Sequence, residues 1–83
     1  MKLIRSITLA FQEGTSDKIY EVDLCQEGEN QFVVNFRFGR RGSDLKEGSK
    51  TPTPVTLSEA EKEYNQLVES KIKKGYQDTT PSS

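Results

Sequence analysis

The sequence contains no histidine, no tryptophan and a single cysteine, Cys25, among 83 residues. Without histidine there is no Ser-His-Asp triad and no Cys-His dyad, and the side chain that titrates nearest neutrality is missing. One cysteine cannot close an intramolecular disulfide or, without histidine partners, build a zinc site, and a lone thiol fits a reducing cytosol. Long apolar runs are also lacking. The opening "MKLIRSITLAF" is interrupted by Arg5, Ser6 and Thr8. It therefore forms no secretory h-region, and nothing approaches the roughly 18 apolar residues of a membrane span. A cytoplasmic protein with no membrane partner is expected.

Apolar side chains are scarce overall, at 31% of the residues with a mean hydropathy of -0.77. A chain of this size and composition supports one small domain with a thin core. Leu, Ile, Val and Phe together number 19, a little above the level of about 20% below which disorder is the default. Net charge is -1 and the pI about 5.4, which argues against a globally basic nucleic-acid binder. The charges are nonetheless sorted along the chain. Arg37, Arg40, Arg41, Lys46 and Lys50 outnumber Asp44 and Glu47, and Lys71, Lys73 and Lys74 follow without an acid between them. Glu21, Asp23, Glu27 and Glu29 gather in the middle, and Glu59, Glu61 and Glu63 open the last segment. Sorted charge steers a partner even when the total is near zero.

Alternation predicts three strands. Leu3, Ile7, Leu9 and Phe11 share one parity, with Arg5 interrupting; Tyr20, Val22 and Leu24 share the next; Phe32, Val34, Phe36 and Phe38 share the third. The turn clusters "QEGTSD" and "QEGEN" separate them, so an antiparallel meander with one buried face is expected. "GRRGSDLKEGSK" reads as a loop. "TPTPVT" reads as extended, and because Pro52 and Pro54 lack N–H donors, any strand there belongs at an edge. Leu57, Ala60, Tyr64, Leu67, Val68 and Ile72 recur at helical spacing. Thr56 with Glu59 and Ser58 with Glu61 both satisfy the capping-box spacing, and Gly75 is the natural stop. The expected fold is α+β: a small antiparallel sheet of about four strands with one C-terminal helix packed on one face. Residues 1–76 form the single domain, and residues 77–83 a disordered tail.

Chemistry concentrates in "FRFGRRG", Phe36 to Gly42. A turn needs glycine, but it does not need three guanidinium groups around it. Guanidinium forks bind phosphate in bidentate fashion, and Gly39 and Gly42 let the backbone approach closely. The competing reading is a solvated turn, with Arg37, Arg40 and Arg41 paired locally to Asp44 and Glu47 at little energetic consequence. Phe38 also has two readings. It shares parity with the core positions of its strand, or it twists away at the strand end and offers a stacking surface for a base or sugar.

The order of these elements and the residues at their joints resemble the WGR domain, named for a Trp-Gly-Arg motif. It is found in poly(ADP-ribose) polymerases and in small bacterial proteins. The resemblance runs from about Ser16 to Tyr76. It rests on "SDKIYEV", "FRFGRRG", Lys50, Ala60 and "ESKIKKGY". Phe38, Gly39 and Arg40 take the motif positions, so the namesake tryptophan is phenylalanine here, which keeps a π-face and loses the indole N–H. The resemblance implies nucleic-acid binding, with DNA ends or strand breaks among the targets. It implies a stacking role for Phe38 and contacts from Arg40 to nucleic acid or a neighbouring domain. It brings Lys18 and Lys50 into the site.

Lys71, Lys73 and Lys74 complement the helix dipole, and they join such a site only if the helix end lies beside the arginine turn. Tyr76, after Gly75, is placed to fold back and close the domain. Cys25 reads as an inert packing residue. The middle acids follow no metal-loop pattern and read as a solvated face. No catalytic set, cofactor or metal is implied. The expected function is a non-enzymatic nucleic-acid-binding module. The alternative is a protein-interaction adaptor that uses the same basic turn and an exposed sheet edge near Pro52 and Pro54.

Overall fold

The computed structural model describes residues 2–79. Five strands and one helix follow in the order β1 (Lys2–Glu13), β2 (Ser16–Gly28), β3 (Gln31–Arg40), β4 (Lys46–Ser49), α1 (Leu57–Lys73) and β5 (Gln77–Asp78). They form one antiparallel sheet, ordered β4-β3-β2-β1-β5. The three long strands are those predicted from alternation, and each adjoining pair is joined by a two-residue loop. Glu13 pairs with Ser16 around Gly14 and Thr15, and Gly28 pairs with Gln31 around Glu29 and Asn30.

One face of the sheet is covered. Cross-strand partners share a face, so the registers Leu9–Tyr20–Phe38, Ile7–Val22–Phe36 and Arg5–Leu24–Val34 define the side under α1. Leu9, Val22, Leu24 and Val34 are the largest fully buried side chains among the described residues, and they pack with Tyr20, Phe32, Ala60, Tyr64 and Leu67. Burying each such aliphatic side chain contributes about 1.5–3 kcal/mol. The predicted stripe of α1 supplies the lid, although its outermost members Leu57 and Ile72 stay exposed.

Leu3 departs from the expected core. It is 58% exposed. Leu3 pairs with Cys25 and Arg5 with Leu24, so β1 spends two residues where β2 spends one. The bulge at Ile4 turns Leu3 to the open face and leaves Arg5 on the covered one. There the Arg5 guanidinium lies 5.7 Å from the ring centre of Tyr64, which explains the charge interrupting the apolar alternation.

Both ends of α1 are capped as the sequence suggests. Of the two capping candidates Thr56 is the one used: the Glu59 N–H donates to Thr56 Oγ1 at 3.3 Å. At the other end the Gly75 N–H donates to the Ile72 carbonyl at 3.0 Å and the Tyr76 N–H to the Lys71 carbonyl at 3.1 Å. This is the Schellman pairing, and it requires the positive φ of Gly75 (110°). The chain reverses there and drops Tyr76 onto the sheet, with ring centres 5.5 Å from Phe11 and 6.1 Å from Tyr20. Tyr76 closes the domain as expected.

Two further elements lie where the sequence signalled loop or tail. β4 comes from the segment read as a loop, and its four residues pair with Asn35 to Phe38. Gln77 and Asp78 pair with Ala10 and Leu9, and the Thr79 N–H donates to the Thr8 carbonyl at 2.8 Å. Of the expected tail, residues 80–83 lie outside the described residues. The edge foreseen near Pro52 and Pro54 is partly occupied, because Phe32 and Val55 exchange both backbone hydrogen bonds at 2.8 Å. Between β4 and that bridge the Val34 N–H donates to Thr51 Oγ1 at 3.0 Å, so a buried donor that no strand reaches finds a partner.

Candidate nucleic-acid interface

Phe38 resolves into neither simple alternative. Its parity places it on the covered face, where its ring stacks on Tyr20 at 5.8 Å and on Phe36 at 5.9 Å between centres. It is nevertheless 37% exposed, while Tyr20 beneath it is buried. Phe38 is the outermost ring of an aromatic cluster, anchored on one side and open on the other.

The sheet pairs two cations beside it. Lys18 is the direct cross-strand partner of Arg40 on the covered face, two register steps from Tyr20–Phe38. Like charges set opposite each other oppose sheet formation. Among the described residues neither forms an ion pair with a carboxylate; Lys18 instead lies 6.0 Å from the ring centre of Phe11. Lys18, Phe38, Gly39 and Arg40 line a cleft of about 300 Å³ together with Ser16, Asp17 and Tyr76. A Cβ at Gly39 would lie 3.1 Å from Leu45 Cδ2 and 3.4 Å from the Asp44 carbonyl oxygen, so a side chain there would press on the turn that follows β3.

The other two arginines of the motif are placed differently. Arg37 has the opposite parity and lies on the open face, where it bonds the Glu21 carboxylate at 3.2 Å and stands opposite Glu47. Arg41 donates its backbone N–H to the Asp17 carbonyl at 3.0 Å, and its Nε lies 3.0 and 3.1 Å from the two Asp17 carboxylate oxygens. The local pairing anticipated for these residues exists, but with Glu21 and Asp17 in place of Asp44 and Glu47. The three guanidinium groups therefore do not act as one cluster. Arg40 alone combines a position in the cleft with freedom from an acidic partner.

The helix end does reach this region. Lys71 Nζ lies 4.6 Å from the ring centre of Tyr20, whose ring neighbours are Phe36, Phe38 and Tyr76. Burial lowers the Lys71 pKa below the usual lysine value, and the positive charges of Lys74 and Lys50 push it the same way. Lys50, Lys71 and Lys74 thus share one positive field. Lys73, on the last turn of α1, is exposed. Lys46 pairs directly with Phe38 from β4. Parity therefore adds it to the covered side, although no strand signal in "KEGS" places it there. Ser16, Asp17 and Tyr76 are the lining residues of the cleft that the sequence did not assign to it.

Cys25 is buried, and burial first and the Asp23 carboxylate second raise its thiol above the ordinary value. It stays protonated at neutral pH and packs. No group of acidic or sulfur side chains among the described residues could hold a metal ion, and no helix among them is long and apolar enough to cross a membrane.

No curated protein and no solved structure matches this chain. The family model for the WGR domain matches residues 5–83, a span that contains the cleft, the aromatic cluster and the helix end just described. The chain belongs to the WGR domain family.

Proposed function

We propose that this chain is a non-enzymatic nucleic-acid-binding module. Its cleft takes a backbone phosphate between Lys18 and Arg40, and Phe38 packs against the adjoining nucleotide. The observation that carries this reading is the facing pair of cations without an acidic partner, set beside a half-open aromatic ring. Such a pair opposes folding unless an anion joins it. Lys46, Lys50, Lys71, Lys73 and Lys74 extend the positive surface away from the cleft. Membership of the WGR family supports the nucleic-acid class of ligand. The half-exposed ring favours an end, nick or unpaired nucleotide, because a stacked base inside a continuous duplex presents no free π-face.

Fluorescence anisotropy over a salt series tests the proposal. Probes are an intact duplex, a duplex with a 5′-phosphorylated nick or end, and a single strand. Salt-sensitive binding that prefers the probes with free nucleotide faces, and is lost in both Arg40→Ala and Phe38→Ala, supports it. An affinity that does not change with salt would refute phosphate contact. The adaptor reading receives no comparable support, since the edge beside Pro52 and Pro54 is partly occupied by the Phe32–Val55 bridge.

A further inference from the structure

We infer that Arg41 serves the cleft by masking the Asp17 carboxylate, not by gripping the ligand itself. This rests on the reading of the cleft as a phosphate site. Asp17 is the one acid among the lining residues, and it directly precedes Lys18. Its strand parity sets its side chain opposite to those of Lys18 and Arg40, at the rim of the cleft, where left alone its charge would oppose an incoming phosphate through the field and not by contact. Arg41 offsets that charge by holding Nε 3.0 and 3.1 Å from the two Asp17 oxygens.

The pair is not needed for folding. Both side chains are substantially exposed, at 52% and 35%, and exposed ion pairs contribute little. The turn has an independent anchor in the backbone bond from the Arg41 N–H to the Asp17 carbonyl, and another in the Ser43 N–H donating to the Arg40 carbonyl at 3.1 Å. Those bonds survive replacement of the side chain. Arg41→Ala therefore reports on the charge and leaves the presentation of Arg40 intact. Arg41 is a positioning residue for the electrostatics of the cleft, and the competing role is direct phosphate contact. The two roles differ in what happens when Asp17 is removed as well.

The test measures anisotropy of a 5′-phosphorylated duplex across a salt series. It uses wild type, Arg40→Ala, Arg41→Ala, Asp17→Asn and the double variant Asp17→Asn/Arg41→Ala, with urea midpoints confirming that each is folded. Masking predicts that Arg41→Ala weakens binding by about fivefold at low salt. The double variant keeps the wild-type net charge, and its affinity should return to within about twofold of wild type with the same salt slope. Asp17→Asn alone should bind at least as well as wild type. A double variant as weak as Arg41→Ala, with a salt slope reduced by about one, would make Arg41 a phosphate ligand and overturn the inference. No effect of Arg41→Ala would overturn it as well. Failure of the underlying reading is distinguishable, because Arg40→Ala would then bind as tightly as wild type, and the masking role would fall with it.

Discussion

Arg37 and Arg40 stand three residues apart on one strand, yet they face opposite sides of the sheet. On the open side Arg37 forms an ion pair with its cross-strand partner Glu21, and a second acid, Glu47, stands opposite it on β4. On the covered side Arg40 meets Lys18, and Lys46, opposite Phe38, stands two register steps away. The sheet thus separates a neutralised surface from a positive one over a distance of a few residues. A charge count along "FRFGRRG" merges what the period of two divides. The difference teaches that the positive character here lies in pairings between strands, not in a run of residues.

The covered side also carries the stability, and the largest expected effect tests that. Leu24→Ala, beneath α1, should lower the unfolding free energy by about 2–5 kcal/mol. Leu3→Ala, past the bulge on the open side, should change it by less than about 0.5 kcal/mol. Urea denaturation of both variants reads the contrast. Equal losses would mean that Leu3 is packed and that the bulge at Ile4 does not turn it outward.

Phe38 sits where structural and binding roles meet, and its neighbour Phe36 is the control. Phe38→Ala should cost about 1–3 kcal/mol of nucleotide binding. Its loss of folding stability should be smaller than that of Phe36→Ala, because Phe36 is enclosed between Tyr20 and β4. Phe38→Trp, with more stacking surface and an added N–H donor, should bind more tightly than wild type. Parallel titrations and melts on the three variants separate the roles. If Phe38→Ala lost stability as Phe36→Ala does and kept its affinity, the ring would be core alone.

The two arginines supply the sharpest comparison. Arg40→Ala should weaken binding by about tenfold and reduce the salt slope by about one. Arg37→Ala should stay within about twofold of wild type with the slope unchanged, since its guanidinium is held by Glu21 on the far face. Anisotropy at four or five salt concentrations suffices. Equal effects would show that sequence proximity, and not sheet face, governs the interface.

Much of this was legible in the sequence, and the exceptions have physical causes. The parities of β1 from Arg5 to Phe11, of β2 and of β3 follow from alternation because one face is buried and a slip would expose every core residue. The α1 stripe and the Gly75 reversal follow from periodicity and cap chemistry, which leave Thr56 and Ser58 both open as the cap. Leu3 was misplaced because a bulge inserts a residue without any signature in "KLIR". β4 was missed because "KEGS" has no apolar alternation, and its strand character comes from pairing with β3. The partners of Arg37 and Arg41 lie on β2, and only the register brings Glu21 and Asp17 to them. Those same registers put Lys18 and Lys46 on the covered face and Arg37 on the open one.

The smallest expected effect concerns Lys71, which links the helix end to the aromatic cluster. Burial lowers its pKa below the usual lysine value, and Lys74 and Lys50 lower it further. In the window between that lowered pKa and 10.5 the unfolded chain binds more protons than the folded one, so folding stability rises with pH there. Phosphate binding works in the opposite direction. An anion beside Lys71 favours its charged form and raises its pKa, so binding takes up protons and affinity falls as pH rises through the same window. Lys71→Arg keeps the charge at every accessible pH and should flatten this dependence while retaining affinity at neutral pH. Titrations of both proteins from neutral pH upward would check it. Parallel pH profiles would place the bound phosphate away from Lys71 and confine the interface to the Lys18–Arg40 side of the cluster.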